Sequence, residues 1–256
     1  MRNTRKRSRY LWWFLLVLPA FALAVVAVNG YGGRGITPGW VPPFSPDPLR
    51  PNLHAETPAE QIVEAAKAEA RRGAMYDARY VTISYPGGDV PADRGACTDV
   101  VIRSLRGAGY DLQQLVHEDM RRHFTLYPQR YGLRAPDRNI DHRRTPNLVV
   151  FFRRHGRTLP TGISGADRES WQPGDVVFCR LSNGMGHCGV VTGPVGPSGL
   201  PMVVHNCSQT RLEDTLAAWE ITDHFRFPAE AAPRTRTAGE GGREKARKGR
   251  PTRGTA

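Results

Sequence analysis

Cysteine is scarce in this chain: four residues in 256, at positions 97, 179, 188 and 207. That density excludes a disulfide scaffold, because a domain of this length buries a core without staples. A disulfide among Cys179, Cys188 and Cys207 stays open, whereas Cys97 lies 82 residues before the nearest of them. Neither Cys-x2-Cys nor His-x3-His spacing occurs, so the usual signature of a structural zinc site is missing. A basic face is missing too. Of the net charge of +12, residues 1–9 carry +5 and residues 229–256 another +5, leaving +2 for everything between. A near-neutral domain lacks the electrostatic footprint of a nucleic-acid binder. No internal repeat is present.

Only one long hydrophobic run exists, Leu11–Val28, 18 residues without a charge behind the basic cluster "MRNTRKRSRY". It is long enough to span a bilayer, and the basic flank should stay cytoplasmic. Residues 1–29 therefore read as a membrane anchor, with a cleaved signal sequence as the alternative. The rest faces the extracytoplasmic (periplasmic) side, inner-membrane anchored or secreted. Residues 30–57 are rich in proline and glycine and read as a linker. A single domain is expected over 58–228, followed by a polar, basic and disordered tail over 229–256.

Within the domain, "TPAEQIVEAAKAEARRG" carries every local mark of a helix. Thr57 is the N-cap, Pro58 stands at the first turn, Glu60 completes a capping box and Gly73 ends it. A second helix runs from Cys97 to about residue 108, with Val100, Val101, Leu105 and Ala108 at helical spacing. "DLQQLVHEDMRRHF" starts a third at Asp111, and "LVVFFRRHG" is a short fourth ended by Gly156. The period then changes. "GDVVFCRL", "HCGVVTG", "PMVVHNCS" and "WEITDHFRFP" are short strands divided by glycine, proline and serine. Helices followed by strands indicate an α+β fold in which N-terminal helices pack on a small antiparallel sheet.

Cys97 occupies the place where a thiolate is stabilised, a helix N-terminus with free backbone N–H groups. Asp99 in the same turn opposes ionisation, so a nearby imidazole is required. His187 opens one strand behind a glycine turn, and His205 ends the next. Adjacent antiparallel strands can bring the two rings together, one as base and the other orienting it.

At these residues the chain resembles a known group. A cysteine opening a helix that ends in "AG", then "PGDVVF", "GHCGVVTG" and "VVHN" in that order, is similar to the NlpC-type, papain-like cysteine peptidases of bacterial cell walls. More closely, "YPGGDVPADRGACTDVVIR", "NIDHRR", "PNLVVFFRRHG" and "QPGDVVF" resemble the exported bacterial family of unknown function typified by the YijF protein. The resemblance implies a papain-like fold with Cys97 as nucleophile, His187 as general base and His205 as the orienting residue. Asn206 is the alternative for the third role. It also implies an oxyanion hole built on the Cys97 N–H and a tyrosine upstream, Tyr85 first and Tyr76 as its rival. Wall peptidases carry Asp before the cysteine and Ser-Gly after it. This chain has Ala96, Thr98 and Asp99 there.

"PDRNIDHRRTPN" supplies Asp141, His142, Arg143 and Arg144 as candidates for lining a substrate cleft, Asp–Arg pairs in a solvated loop being the alternative. The expected function is an exported cysteine peptidase or amidase acting on cell-wall peptide. It is expected to be monomeric and free of metal and cofactor, tied to the membrane by its N-terminal segment, with no nucleic-acid partner. The rival readings are an acyltransferase or esterase of the same fold, and a non-catalytic binding or metal-stabilised domain.

Overall fold

In the computed structural model the described residues are 47–229 except 130, 131 and 133. The apolar run 11–28 and the tail from residue 230 lie outside them. Among the described residues no helix is long and apolar enough to cross a membrane.

Helix α1 (Pro58–Arg72) forms as its ends dictate. The Thr57 side chain accepts the Glu60 N–H, the Glu60 carboxylate accepts the Thr57 N–H, and Gly73 closes the helix in a left-handed conformation. Residues just before it are docked on it: the Asn52 N–H donates to Glu64 at 2.9 Å, and Arg71 donates to the Leu49 carbonyl. Helices α2 (Cys97–Gly107), α3 (Leu112–His123, N-capped by Asp111) and α4 (Thr145–His155) follow.

Two very short strands, β1 (Met75–Tyr76) and β2 (Arg94–Gly95), pair in parallel ahead of α2. The main sheet is antiparallel, six strands in the order β3-β8-β4-β5-β6-β7. These are β3 (Arg157–Thr158), β4 (Val176–Arg180), β5 (Gly186–Val195), β6 (Pro201–Asn206), β7 (Thr210–Glu213) and β8 (Glu220–Arg226). The mixed α+β class with a small antiparallel sheet is as the sequence indicates. The four apolar runs are β4, β5, β6 and β8, while β1, β2, β3 and β7 carry too little hydrophobic alternation to be read from sequence.

The sheet has two dissimilar faces, because side chains alternate along each strand. Val176, Phe178, Cys188, Val190, Val204 and Phe225 meet all four helices in the main core, which includes Cys97. Val177, Val191, Val203 and Trp171 form a smaller cluster on the other face, with Leu216 and Trp219 against it. His187 and His205 share the parity of Val191 and Val203 and so belong to this second face. The thiol helix and the imidazoles approach from opposite sides of the sheet and meet at its end, where β5 begins and β6 stops.

Candidate active site

Cys97 is the first residue of α2 and is buried in the core at 5 % exposure. Gly95 permits the tight entry, since a Cβ there would lie 2.9 Å from the Cβ of Asp99. Asp99 turns back to accept the Ala96 N–H at 2.6 Å, which fixes the start of the helix. Its charge does not face the thiol alone. Arg143 holds the carboxylate by two parallel bonds, Nε to Oδ1 at 2.8 Å and Nη2 to Oδ2 at 2.9 Å. Thr98 donates to the Arg143 carbonyl at 3.0 Å. Thr98 and Asp99, the positions that depart from the wall-peptidase pattern, thus fasten α2 to the loop at 143.

Hydrogen bonds favour the Cys97 thiolate, from Cys188 most strongly and also from His187, and hold the thiol well below its ordinary pKa against the opposing effect of burial. Cys188 is itself raised by burial and remains a thiol, able to donate to its neighbour. The strand pattern alone does not mark Cys188 as a partner of Cys97. It points to the core because it is next to His187 on β5, and that alternation lets one strand address Cys97 with two residues.

His187 Nε2 lies 3.1 Å from His205 Nδ1, and His205 Nε2 lies 3.1 Å from Glu213 Oε2. The register produces this line. His205 is opposite Gly189 on one side and Arg211 on the other, so His187 and Glu213 are its diagonal neighbours across three adjacent strands. Gly189 is required for the approach: a Cβ there would sit 2.6 Å from Val203 Cγ1 and 2.8 Å from the Val204 carbonyl oxygen. Trp219 stands edge-on to both imidazoles, with centroids 5.3 and 4.9 Å away. Burial, then the proximity of His187, pushes His205 down to about 4.

The relay has one self-consistent protonation pattern. A carboxylate only accepts, so His205 carries its proton on Nε2 and leaves Nδ1 bare. His187 must then donate from Nε2, which leaves its Nδ1 as the free basic nitrogen for the thiol. Glu213 was missed at the level of sequence because "TRLE" shows no strand pattern. The signal available was the three-residue turn Cys207–Gln209, which sets the register of the hairpin.

Other sequence candidates are placed differently. Tyr76, not Tyr85, is the tyrosine near the thiol. The pairing of β1 with β2 sets Tyr76 opposite Gly95, and burial followed by the charge of Cys97 raises its phenol above the ordinary value. Tyr85 instead packs edge-on against His117 at 5.2 Å, beyond the loop that follows β1. Asn206 has the opposite parity to His205; its amide donates to the carbonyls of Ala74 and Gly95 and ties β6 to the thiol loop. Asp141, His142 and Arg143 are buried rather than lining a cleft, and Arg144 is partly exposed. Burial, reinforced by Arg143, pushes His142 down to about 4, so it offers no cationic clamp at neutral pH. The reason is the 3-10 turn Asp141–Arg143, which folds these polar residues inward beneath α2.

All four cysteines are free thiols. Cys207, in the hairpin turn, is exposed and lies 3.5 Å from His187 Nε2 and 3.6 Å from His205 Nδ1. Among the described residues, His187, His205 and Cys207 are the group able to hold a metal ion.

A family model described as "Domain of unknown function (DUF1287)" matches residues 63–227. The chain is 47 % identical over 167 residues to "Uncharacterized protein YijF" of Escherichia coli (strain K12), a match covering 65 % of this chain and 80 % of that protein. Among solved structures, NlpC1 from Trichomonas vaginalis aligns with 69 % of this chain at 14 % identity and a TM-score of 0.38. The match spans 46 % of the NlpC1 chain.

Proposed function

The chain belongs to the DUF1287 family, and for it we propose an exported cysteine hydrolase of papain-like architecture, a peptidase or amidase acting on cell-wall peptide. One observation carries the reading: a buried thiol at a helix start, held below its ordinary pKa by Cys188 and His187, stands at the head of a His187–His205–Glu213 relay. A structural cysteine needs no such chain behind it. The basic, apolar N-terminus and the order of the sequence motifs support export and a wall substrate.

In this reading the Cys97 thiol gives its proton to His187 Nδ1, and the thiolate attacks the carbonyl carbon, forming a C–S bond as the carbonyl electron pair moves onto oxygen. The Cys97 N–H, free of an intrahelical acceptor by its place in the first turn, and the protonated Tyr76 hydroxyl stabilise that oxyanion. Collapse expels the amine, which takes its proton from His187. Water, deprotonated by His187, then cleaves the thioester and returns the thiolate with a carboxylic acid product. His205 and Glu213 are positioning residues: they hold the base in the tautomer whose Nδ1 is free to take the thiol proton.

Purified wall fragments incubated with the protein and followed by mass spectrometry test the proposal. New amine and carboxyl ends that are lost in Cys97→Ala are expected. Wall fragments, acyl esters and acyl amides all left intact by a folded protein would overturn it.

A further inference from the structure

Cys207 has no part in the hydrolytic scheme, yet it sits beside both imidazoles. Three soft or borderline donor atoms converge there: His187 Nε2, His205 Nδ1 and Cys207 Sγ, separated by 3.1, 3.5 and 3.6 Å. A tetrahedral zinc ion with its ordinary bond lengths needs donor separations of about 3.3 Å between two nitrogens and about 3.5 Å between nitrogen and sulfur. The three atoms already form one face of that tetrahedron to within a few tenths of an ångström. Behind His205, Glu213 accepts from Nε2 at 3.1 Å, the carboxylate–histidine arrangement that orients an imidazole toward a metal. The exposure of Cys207 gives an ion a way in. Three protein ligands leave one position for water.

We propose that His187, His205 and Cys207 form a binding site for one zinc ion, and that the bound ion switches the thiol site off. The first half stands on the donor geometry alone; the second rests on the hydrolase reading. The metal and the relay compete for the same atoms. With zinc on Nε2, His187 carries its proton on Nδ1 and has no lone pair left for the thiol proton. With zinc on Nδ1, His205 no longer accepts from His187. Cys207 binds as thiolate, its proton passing to solvent.

The experiment uses the purified full chain, stripped with a chelator and titrated with zinc against a chromophoric competitor, then with cobalt(II) as a spectroscopic substitute. One ion per chain is expected, with a thiolate-to-cobalt charge-transfer band and intense tetrahedral d–d bands. Cys207→Ala should lose the charge-transfer band and weaken zinc binding at least tenfold. Zinc should slow iodoacetamide labelling of Cys97 at least tenfold in the wild type, and that ratio should collapse towards one in Cys207→Ala. A cobalt spectrum without thiolate character, or equal zinc affinity in Cys207→Ala, would overturn the site. One-to-one binding with no protection of Cys97 would overturn the switch. The metal measurements need no turnover, so failure of the site and failure of the hydrolase proposal are read separately.

Discussion

His187 and Glu213 never touch, yet the imidazole of His205 joins them, 3.1 Å from His187 Nε2 on one side and 3.1 Å from Glu213 Oε2 on the other. The carboxylate therefore decides which nitrogen of His187 is free. Glu213→Gln removes that decision, since a side-chain amide donates as readily as it accepts. Turnover should fall about 10–100-fold, the scale of losing a carboxylate behind a functional histidine. The pH profile of Cys97 alkylation should shift while the melting temperature holds. An unmoved profile would remove Glu213 from the relay.

The two histidines should differ in kind. His187→Ala should abolish turnover and fast alkylation of Cys97 at neutral pH, because no other base is aligned with the thiol. His205→Ala should leave residual turnover, since orientation is lost but the base remains. Asn206→Ala should act on stability instead, by about 1–3 kcal/mol, because it removes two buried hydrogen bonds, to the Ala74 and Gly95 carbonyls. Chemical denaturation together with alkylation rates separates the three. A fully active His205→Ala beside a folded, inactive Asn206→Ala would reassign the third role.

How much of this was legible depended on distance along the chain. Thr57, Pro58, Glu60 and Gly73 act within one or two helical turns, so α1 was readable to the residue. Cys97, His187 and His205 were readable as types: a thiol opening a helix and imidazoles at strand ends. What joins them was not. Arg143 reaches Asp99 across 44 residues, and no local pattern distinguishes an arginine in a solvated loop from one folded under a helix. Tyr76 lost to Tyr85 because a two-residue parallel pairing has no periodicity to detect. Glu213 was hidden by a four-residue strand whose register only the turn before it reveals.

Asp99 and Arg143 are both nearly inaccessible, with side-chain exposures of 3 % and 2 %. Removing one partner strands the other charge in the interior. Asp99→Asn should cost about 3–5 kcal/mol in denaturant unfolding, the scale of breaking a buried pair. The same change loosens the start of α2, so the Cys97 alkylation rate should change with it. A loss under about 1 kcal/mol, at the level of exposed pairs, would show that the bridge is solvated in solution.

Asp141 offers a test whose sign depends on pH. Its side chain is buried beside the 3-10 turn, accepts the Asp137 N–H and lies 3.5 Å from Arg144. Burial outweighs both and pushes its carboxyl up to about 6. A carboxyl raised on folding favours the folded state fully below its unfolded pKa of about 4, and that contribution is lost as pH rises through about 6. At neutral pH the ionised side chain is therefore a burden. Asp141→Asn keeps an acceptor for the Asp137 N–H and cannot ionise. The stability difference between variant and wild type should move in the variant's favour by about 1–3 kcal/mol between pH 4 and pH 7, with most of the rise between 4 and 6. Urea unfolding of both proteins across that range measures it. A difference that stays constant with pH would mean that Asp141 ionises in the fold as easily as in the unfolded chain.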